Sequence, residues 1–533
     1  MNRIPARLAG VTALTVATAL TITGCSAGGG SSSSSSGGTT KTLVVDNSFD
    51  LKTADPARAF ELTGTIVDKA LYETALTFSG SDVSKPLPQL TTFTESADNK
   101  TLTLTLRGKH TFASGNPVRI DDIVWSYKRV QAIAGNPVFL LQNADGSNLA
   151  IAKTSDTTMT LTSKSSNPQL PYILPNPSLG VLDEKLVEKH GGTATKDDKA
   201  ESYLSGHSAG SGPYVISSYD VKSKVVFTSN PHYSGPKPTY GRVVLQNVAG
   251  PQQKINVQAG QAGVALDLNA DQVKGLGTGS TKILKDTSPN VLYTWFNQNP
   301  AVGQGVTNKP DFVNAVRKGI NYAEILSITG QGSVQPGGMV PVQFVGAIKP
   351  DAADATDTKA AIASLNKSGY KGQTVTFAYP SDITLNGISF QTLAQAIQSQ
   401  LKGVGITLKL APSPFSTFID AYRAGKLQAG IMYWGPDFPD PADYTVFSPG
   451  ESLGLRAGWA KTMAPNVTAA KEAALNAAGT EARATAYGTW QRLQNQYGPF
   501  IPVVQPGRYF VTTSAVKSVP SNAVWTVDLA AIK

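Results

Sequence analysis

The sequence predicts a mixed fold, α/β or α+β, built in two or more lobes, and three features predict it. A β-α-β pattern runs through the later part of the chain, where Val375, Phe377 and Tyr379 alternate as a strand should. Phe390, Leu393, Ala394, Ile397 and Leu401 then share one helical face, and after Gly403 and Gly405 the residues Ile406, Leu408 and Leu410 alternate again. That order argues for a parallel or mixed sheet covered by helices. Strand and helix signals interleave elsewhere too, with no repeat of fixed period. Finally, 533 residues exceed what one core holds, since single cores stop growing at about 250–300 residues.

The elements follow in chain order. Leu43-Val44-Val45 suits a buried strand, and Thr101 to Leu106 alternates strictly, as a strand with one covered face does. Arg119 to Val130 is helical by spacing, with Ile120, Ile123, Val124 and Tyr127 on one side and Asp121 and Asp122 in the first turn. Ser211 to Ile216 reads as a turn entering a strand. A single helix is expected from Pro310-Asp311 to near Gly330, carrying Phe312, Ala315, Val316, Gly319, Ile320 and Ala323 on one face. Tyr487, Trp490, Leu493 and Tyr497 predict a last helix before Pro499.

Composition narrows the function. Hydrophobic content of 41% is that of a folded globular chain. The net charge of +9 is spread along the sequence, and no basic stripe with interleaved aromatics supports nucleic-acid binding. Cys25 is the only cysteine, so neither a disulfide framework nor a thiolate metal site is available. Arg3 and Arg7 precede a mostly apolar run from Leu8 to Ile22, the pattern of a secretory signal segment. Ile22-Thr23-Gly24-Cys25 resembles the bacterial lipobox, which implies cleavage after residue 24 and acylation of Cys25. Residues 26–40 are an uncharged Gly/Ser tract, a flexible tether of roughly 20 Å. Two or three acyl chains hold a protein on a membrane where one binds only marginally.

Catalytic patterns are few. Gly206-His207-Ser208-Ala209-Gly210 fits the G-x-S-x-G elbow of serine hydrolases, with Ser208 as nucleophile. The elbow needs a strand before it and a helix after it, whereas a polar stretch precedes this one and a strand follows. The four histidines never fall at metal-binding spacing with a glutamate between them, and no loop is built to cradle nucleotide phosphates. Asp437 and Asp440 lie three apart in a Pro-rich loop, unlike hydrolytic carboxylates held on separate elements. The reading is a non-enzyme with no cofactor and no metal.

The most concentrated aromatic and acidic stretch is Ile431 to Pro441. An apolar strand ends in Tyr433-Trp434, and prolines stiffen the loop that carries Asp437. A carboxylate fixed beside aromatic rings receives a cation such as a peptide α-amino group, because water exclusion strengthens the ion pair. On composition alone a structural role is the favoured reading, with Trp434 in the core and Asp437 capping the turn.

The chain also resembles a known family, through an ordered set of motifs. Ala70 to Leu76 is similar to "LYEGL", and Asp98 to Lys109 to "DDGKTYTFKLRKG". Phe112 to Tyr127 follows "FHDGTPLTAEDVVFSF", Ser211 to Val215 follows "TGPY", and Asn230 to Pro238 follows "NPNYWGGKP". Val316 to Ala323 matches "VRQALNYA", and Ile501-Pro502-Val503 resembles "IPL". By these residues the chain is similar to the extracytoplasmic solute-binding proteins of ABC importers that include oligopeptide and dipeptide receptors. The resemblance implies a periplasmic-binding-protein-like α/β fold, two hinged lobes with an extra small domain inserted in the N-terminal lobe. It places a signal peptide at 1–24, the lipidated Cys25 and tether at 25–40, lobe I at 41–76 and 205–290, the insert at 77–204, lobe II at 291–505 and a return to lobe I at 506–533. In the family an aspartate of "W-x-x-D" meets the peptide N-terminus. Trp434-Gly435-Pro436-Asp437 fits, giving Asp437 as amine anchor and Trp434 as pocket wall, with Tyr433 and Phe438 beside them. Trp295 and Asn297 align with "L-x-F-N" near the lobe crossing and are further candidates. The implied setting is a monomeric, lipid-anchored receptor on the outer face of the cell membrane. It serves an ABC permease and its ATPase subunits and carries a small peptide. An oligosaccharide, nickel chelate or opine is the nearer alternative, and a hydrolase using Ser208 the remote one.

Overall fold

The computed structural model describes residues 41–143 and 145–533. Cys25, the signal segment and the Gly/Ser tether lie outside the described residues.

Three sheets organise the chain. The first has seven strands in the order Thr281–Thr287, Gly507–Thr513, Val264–Leu268, Thr42–Asn47, Arg242–Asn247, Lys224–Ser229, Tyr214–Asp220. Its centre is parallel: Thr42–Asn47 runs alongside both Arg242–Asn247 and Val264–Leu268. The last long strand, Gly507–Thr513, is antiparallel to both of its neighbours. Helix Leu62–Leu71 packs on this sheet and buries Ile66, Val67, Ala70 and Leu71 in a core with Val45, Phe227, Leu245 and Phe510.

A second sheet of five strands runs Leu408–Ser413, Val375–Pro380, Ala429–Trp434, Val291–Phe296, Phe500–Val504. The β-α-β unit appears as expected: Val375–Pro380 pairs in parallel with Leu408–Ser413, joined by helix Phe390–Gly403. Leu393, Ala394, Ile397 and Leu401 are all fully buried against the sheet. Its opposite face is aromatic, with Tyr293, Trp295, Phe418, Tyr422, Phe447, Trp490 and Phe500 in one cluster. A third, antiparallel sheet orders Thr91–Glu95, Thr101–Leu106, Thr158–Thr162, Ala150–Lys153 and is covered by helix Ile120–Ile133.

Two local expectations change. The helix expected over 310–330 is two helices, Pro310–Gly319 and Tyr322–Thr329. Asn321 breaks it by capping the second: its side chain accepts the Glu324 amide at 3.1 Å. The strand expected from Ile406 begins at Leu408.

A buried charge cluster joins the first and third layers. Arg129, on the helix over the four-stranded sheet, is fully buried and donates to both carboxylate oxygens of Asp55 and to Asp198. Arg58 reaches the same two acids. Burial alone would push Asp198 up, but the hydrogen bonds and charge of Arg129 hold its carboxyl below the usual range. Asp68 nearby is different. It is fully buried, neither oxygen has a partner among the described residues, and burial holds its carboxyl well above the usual range. Asp68→Asn is therefore expected to raise stability at pH 8, by removing a cost of ionisation, and to change it little at pH 4, as urea denaturation at the two pH values will show.

Among the described residues no helix is long and apolar enough to cross a membrane, and no cluster of acidic, histidine or cysteine side chains could hold a metal ion.

Candidate ligand cleft

The two larger sheets present the carboxyl ends of parallel strands to each other, the usual place for ligands in open α/β sheets. Strand Thr42–Asn47 ends in Ser48-Phe49-Asp50. This turn is rigid: Asp267 accepts the Ser48 amide at 2.6 Å, and Asp50 accepts the Thr63 and Leu62 amides at 2.8 and 3.1 Å, capping helix Leu62–Leu71. Opposite stands the end of strand Ala429–Trp434. Burial, and to a lesser degree the charge of Asp50, raise the Tyr433 hydroxyl above its ordinary range. Tyr433 packs its ring on Phe390, 6.2 Å between centroids.

The loop after Trp434 is held from three sides. Asp443 comes back on it because Pro441–Phe447 forms a 3-10 helix, capped by Asp440, whose side chain accepts the Ala442 amide. Asp440 is itself buried and paired with Arg483, which lies against the Tyr172 and Tyr487 rings. Asn176 donates to the Asp437 carbonyl at 3.0 Å. Phe438 packs between the aromatic core of the five-stranded layer and the core of the four-stranded one.

The chemistry centres on two carboxyl groups. Asp443 Oδ2 accepts the Asp437 amide at 3.0 Å and the Trp434 indole N–H at 3.4 Å. Burial pushes Asp437 up to about 7, offset in part by its hydrogen bond with Asp443. Burial, then the neighbouring charge of Asp437, carries Asp443 well above the usual carboxylate range. No basic side chain bonds to either acid among the described residues, and the buried Tyr444 hydroxyl beside them has no partner there. Two such acids cannot both ionise cheaply, so the pair tends to hold one proton.

The sequence candidates separate into two groups. Tyr433, Trp434, Asp437 and Phe438 come together here, all partly exposed. Trp295 and Asn297 do not join them. Trp295 is fully buried, its ring 4.3 Å from that of Tyr422 and edge-on to Phe418. Asn297 is also fully buried, and its side chain is consumed by the Gly425 and Leu427 carbonyls and the Asn299 amide. Trp295 sits on an interior strand of the five-stranded sheet, and Asn297 follows directly after it. Ser208 sits in a loop entering strand Tyr214–Asp220, and its hydroxyl accepts the Ile216 amide at 2.7 Å. His207 turns away to stack on Tyr203, 4.5 Å between centroids. Sequence reasoning missed Asp443, Asn176, Arg483 and Asp50. Only Asp443 left a trace, as a third acid in the same loop.

Comparison with known proteins agrees with this architecture. The family model of bacterial extracellular solute-binding proteins, family 5 (middle region), matches residues 85–451. The chain belongs to that family. It is 26% identical over 409 residues to the probable D,D-dipeptide-binding periplasmic protein DdpA of Escherichia coli K12, covering 75% of each chain. It is 22% identical over 526 residues to the dipeptide-binding protein DppE of Bacillus subtilis 168, covering 92% of this chain and 91% of that one. Among solved structures it is similar to the ABC transporter substrate-binding protein CtaP of Listeria monocytogenes, with a TM-score of 0.79 at 16% identity over 92% of this chain and 98% of that one.

Proposed function

We propose that this chain is the receptor of an ABC import system, capturing short peptides by their free amino end and passing them to a membrane permease. The observation that carries the reading is the Asp437–Asp443 pair, which follows the end of strand Ala429–Trp434 and bonds to no basic side chain among the described residues. An α-ammonium group entering there takes up the role of the missing cation. Trp434 and Phe438 keep water from the ion pair, and the Ser48-Phe49-Asp50 turn offers main-chain groups to an extended ligand. The names of the relatives DdpA and DppE, a D,D-dipeptide-binding and a dipeptide-binding protein, support the same class of ligand.

The division into lobes 41–76 with 205–290, an insert 77–204, lobe II 291–505 and a return 506–533 belongs to this proposal; the separate sheets support it. A ligand touched from both sides favours the closed arrangement, and that form docks on the permease. Lipidation of Cys25, with the tether 26–40, would keep the receptor beside its transporter on the outer membrane face.

Calorimetry with a dipeptide and its N-acetyl derivative tests the reading. The free amine is expected to bind and the acetylated form to lose at least about 30-fold; equal affinities would discard Asp437 as an amine anchor. Asp443 is expected to act as a neutral acid that orients Asp437. Asp443→Asn, which keeps one donor and one acceptor, should stay within about threefold of the parent affinity, while Asp443→Leu should lose about tenfold or more in the same titration.

A further inference from the structure

A cavity of about 200 Å³ lies beneath the C-terminal segment, on helix Leu62–Leu71. We infer that it is a second binding site, shaped for a small α-amino acid in its zwitterionic form.

Three pieces of chain wall the cavity. The helix supplies Lys69, the hairpin of Leu76–Ser79 with Asp82–Pro88 supplies Thr77 and Phe78, and the C-terminal segment supplies Trp525 and Asp528. That last piece is firmly built. Ser521-Asn522 pairs with Thr526-Val527, so Trp525 stands in a tight turn. Its ring stacks on Phe78, 6.1 Å between centroids, and Asn522 donates to the Gly80 carbonyl at 2.6 Å. Asp528 is held by accepting the Ala530 amide at 2.9 Å.

The cavity is distinct from the cleft. Asp50 accepts the Leu62 amide at the other end of the same helix. Lys69 lies seven residues further on, about 10 Å along the axis at roughly 1.5 Å per residue. The volume also falls short of the roughly 300–1,000 Å³ of pockets for larger ligands, so only a molecule of a few heavy atoms fits.

The charged groups on its wall are buried and unanswered. Lys69 is 8% exposed, and an ammonium has three hydrogens to donate. It gives one to the Thr77 hydroxyl at 3.2 Å and lies 4.3 Å over the Trp525 ring. Among the described residues no carboxylate forms an ion pair with it. Burial therefore holds Lys69 below its ordinary pKa, offset only in part by the charges of Asp528 and Glu73. Gln89, also on the wall, accepts the Thr74 amide and hydroxyl at 3.1 and 3.0 Å through its side-chain oxygen. Its two N–H hydrogens are left without a protein acceptor among the described residues.

An ammonium and a carboxylate that line one cavity without pairing complement a molecule carrying both charges. A ligand carboxylate only accepts, and it suits the spare hydrogens of Lys69 and Gln89. The ligand ammonium answers Asp528, and a short side chain rests on Trp525 and Phe78. A plain anion would leave Asp528 unanswered, and a plain cation would meet Lys69.

Calorimetry on the intact protein with L-alanine, acetate and methylammonium provides the test. L-Alanine is expected to bind with a Kd below about 1 mM, and each of the others at least about tenfold more weakly, since each satisfies one charge only. Lys69→Met keeps an unbranched side chain on Trp525 and should weaken L-alanine at least about 30-fold. Ala531→Leu fills the cavity without removing a charge and should do the same, which keeps the site testable if Lys69→Met does not fold. Asp437→Asn should leave L-alanine within about threefold, because the amine pocket of the cleft is a different place. Acetate bound as tightly as L-alanine, no saturable L-alanine binding, or binding lost in Asp437→Asn and kept in Lys69→Met would each overturn the second site. The peptide reading stands or falls separately, on the N-acetyl comparison.

Discussion

Replacing Asp437 with asparagine is expected to weaken dipeptide binding at least about 30-fold at pH 8 and, at the same pH, to make the empty protein more stable. The two effects share one cause. In the empty cleft Asp437 titrates at about 7, against an ordinary value of 3.8, because burial penalises its charge and nothing cationic answers it. Between about pH 4 and 7 the native protein therefore holds a proton that the unfolded chain has lost, so stability falls as pH rises through that window and levels off above it. The full shift corresponds to up to about 4 kcal/mol, and asparagine avoids it. The stability gain of Asp437→Asn should thus be largest at pH 8 and vanish near pH 4, as urea denaturation at a series of pH values will show. Binding runs the other way. An ammonium ligand selects the ionised carboxylate, so its affinity for the parent should fall about tenfold per pH unit below 7 and be flat above, with proton release on binding at pH 6. Truncating one partner of a desolvated charge pair costs about 2–5 kcal/mol, which sets the 30-fold floor. A variant that binds normally, or an affinity independent of pH between 5 and 8, would remove Asp437 from the ligand.

The second large effect is structural. Arg129→Met is expected to destabilise the protein by about 3–5 kcal/mol, because it strands Asp55 and Asp198 in the interior with only Arg58 to answer them. Asp198→Asn in the Arg129→Met background should recover part of the loss by removing one of the stranded charges. The sign with pH follows from Asp198, whose carboxyl is held below its ordinary value. Its contribution is present above about pH 4 and is lost as pH falls through the folded value. The parent should therefore lose stability in acid more steeply than Arg129→Met. Chemical denaturation followed by circular dichroism at pH 7 and pH 3 measures both; a loss below about 1 kcal/mol at pH 7 would mean that the cluster adds little beyond packing.

The sequence announced some parts of this molecule and concealed others for physical reasons. Helix Phe390–Gly403 was legible because its buried residues repeat at helical spacing between two alternating strands. The break at Ile320-Asn321 was not, since the apolar spacing continues across it and only the Asn321 cap gives it away. Asp437 stood out through its loop and its family motif. Its partner did not, because Asp443 returns to Asp437 through a 3-10 turn that brings together residues six apart. Trp295 and Asn297 were singled out because aromatic and polar residues near a crossing read like a site, yet both are fully buried, and the Asn297 side chain is taken up by backbone hydrogen bonds. The Asn386-Gly387 dipeptide carried a hairpin signal in plain view, but nothing in the sequence says that its tip meets Asn269.

The placement of Gly507–Thr513 has a consequence for how the protein is made. That strand lies between Val264–Leu268 and Thr281–Thr287, and among the described residues it is the only sheet neighbour of the latter. A ribosome adding roughly 5–20 residues per second needs on the order of 30–100 s for 533 residues. From the time those strands are made until Gly507–Thr513 follows, close to half of the synthesis, one strand lacks this neighbour and another has an open edge. The seven-stranded sheet thus stays incomplete until Gly507–Thr513 is made.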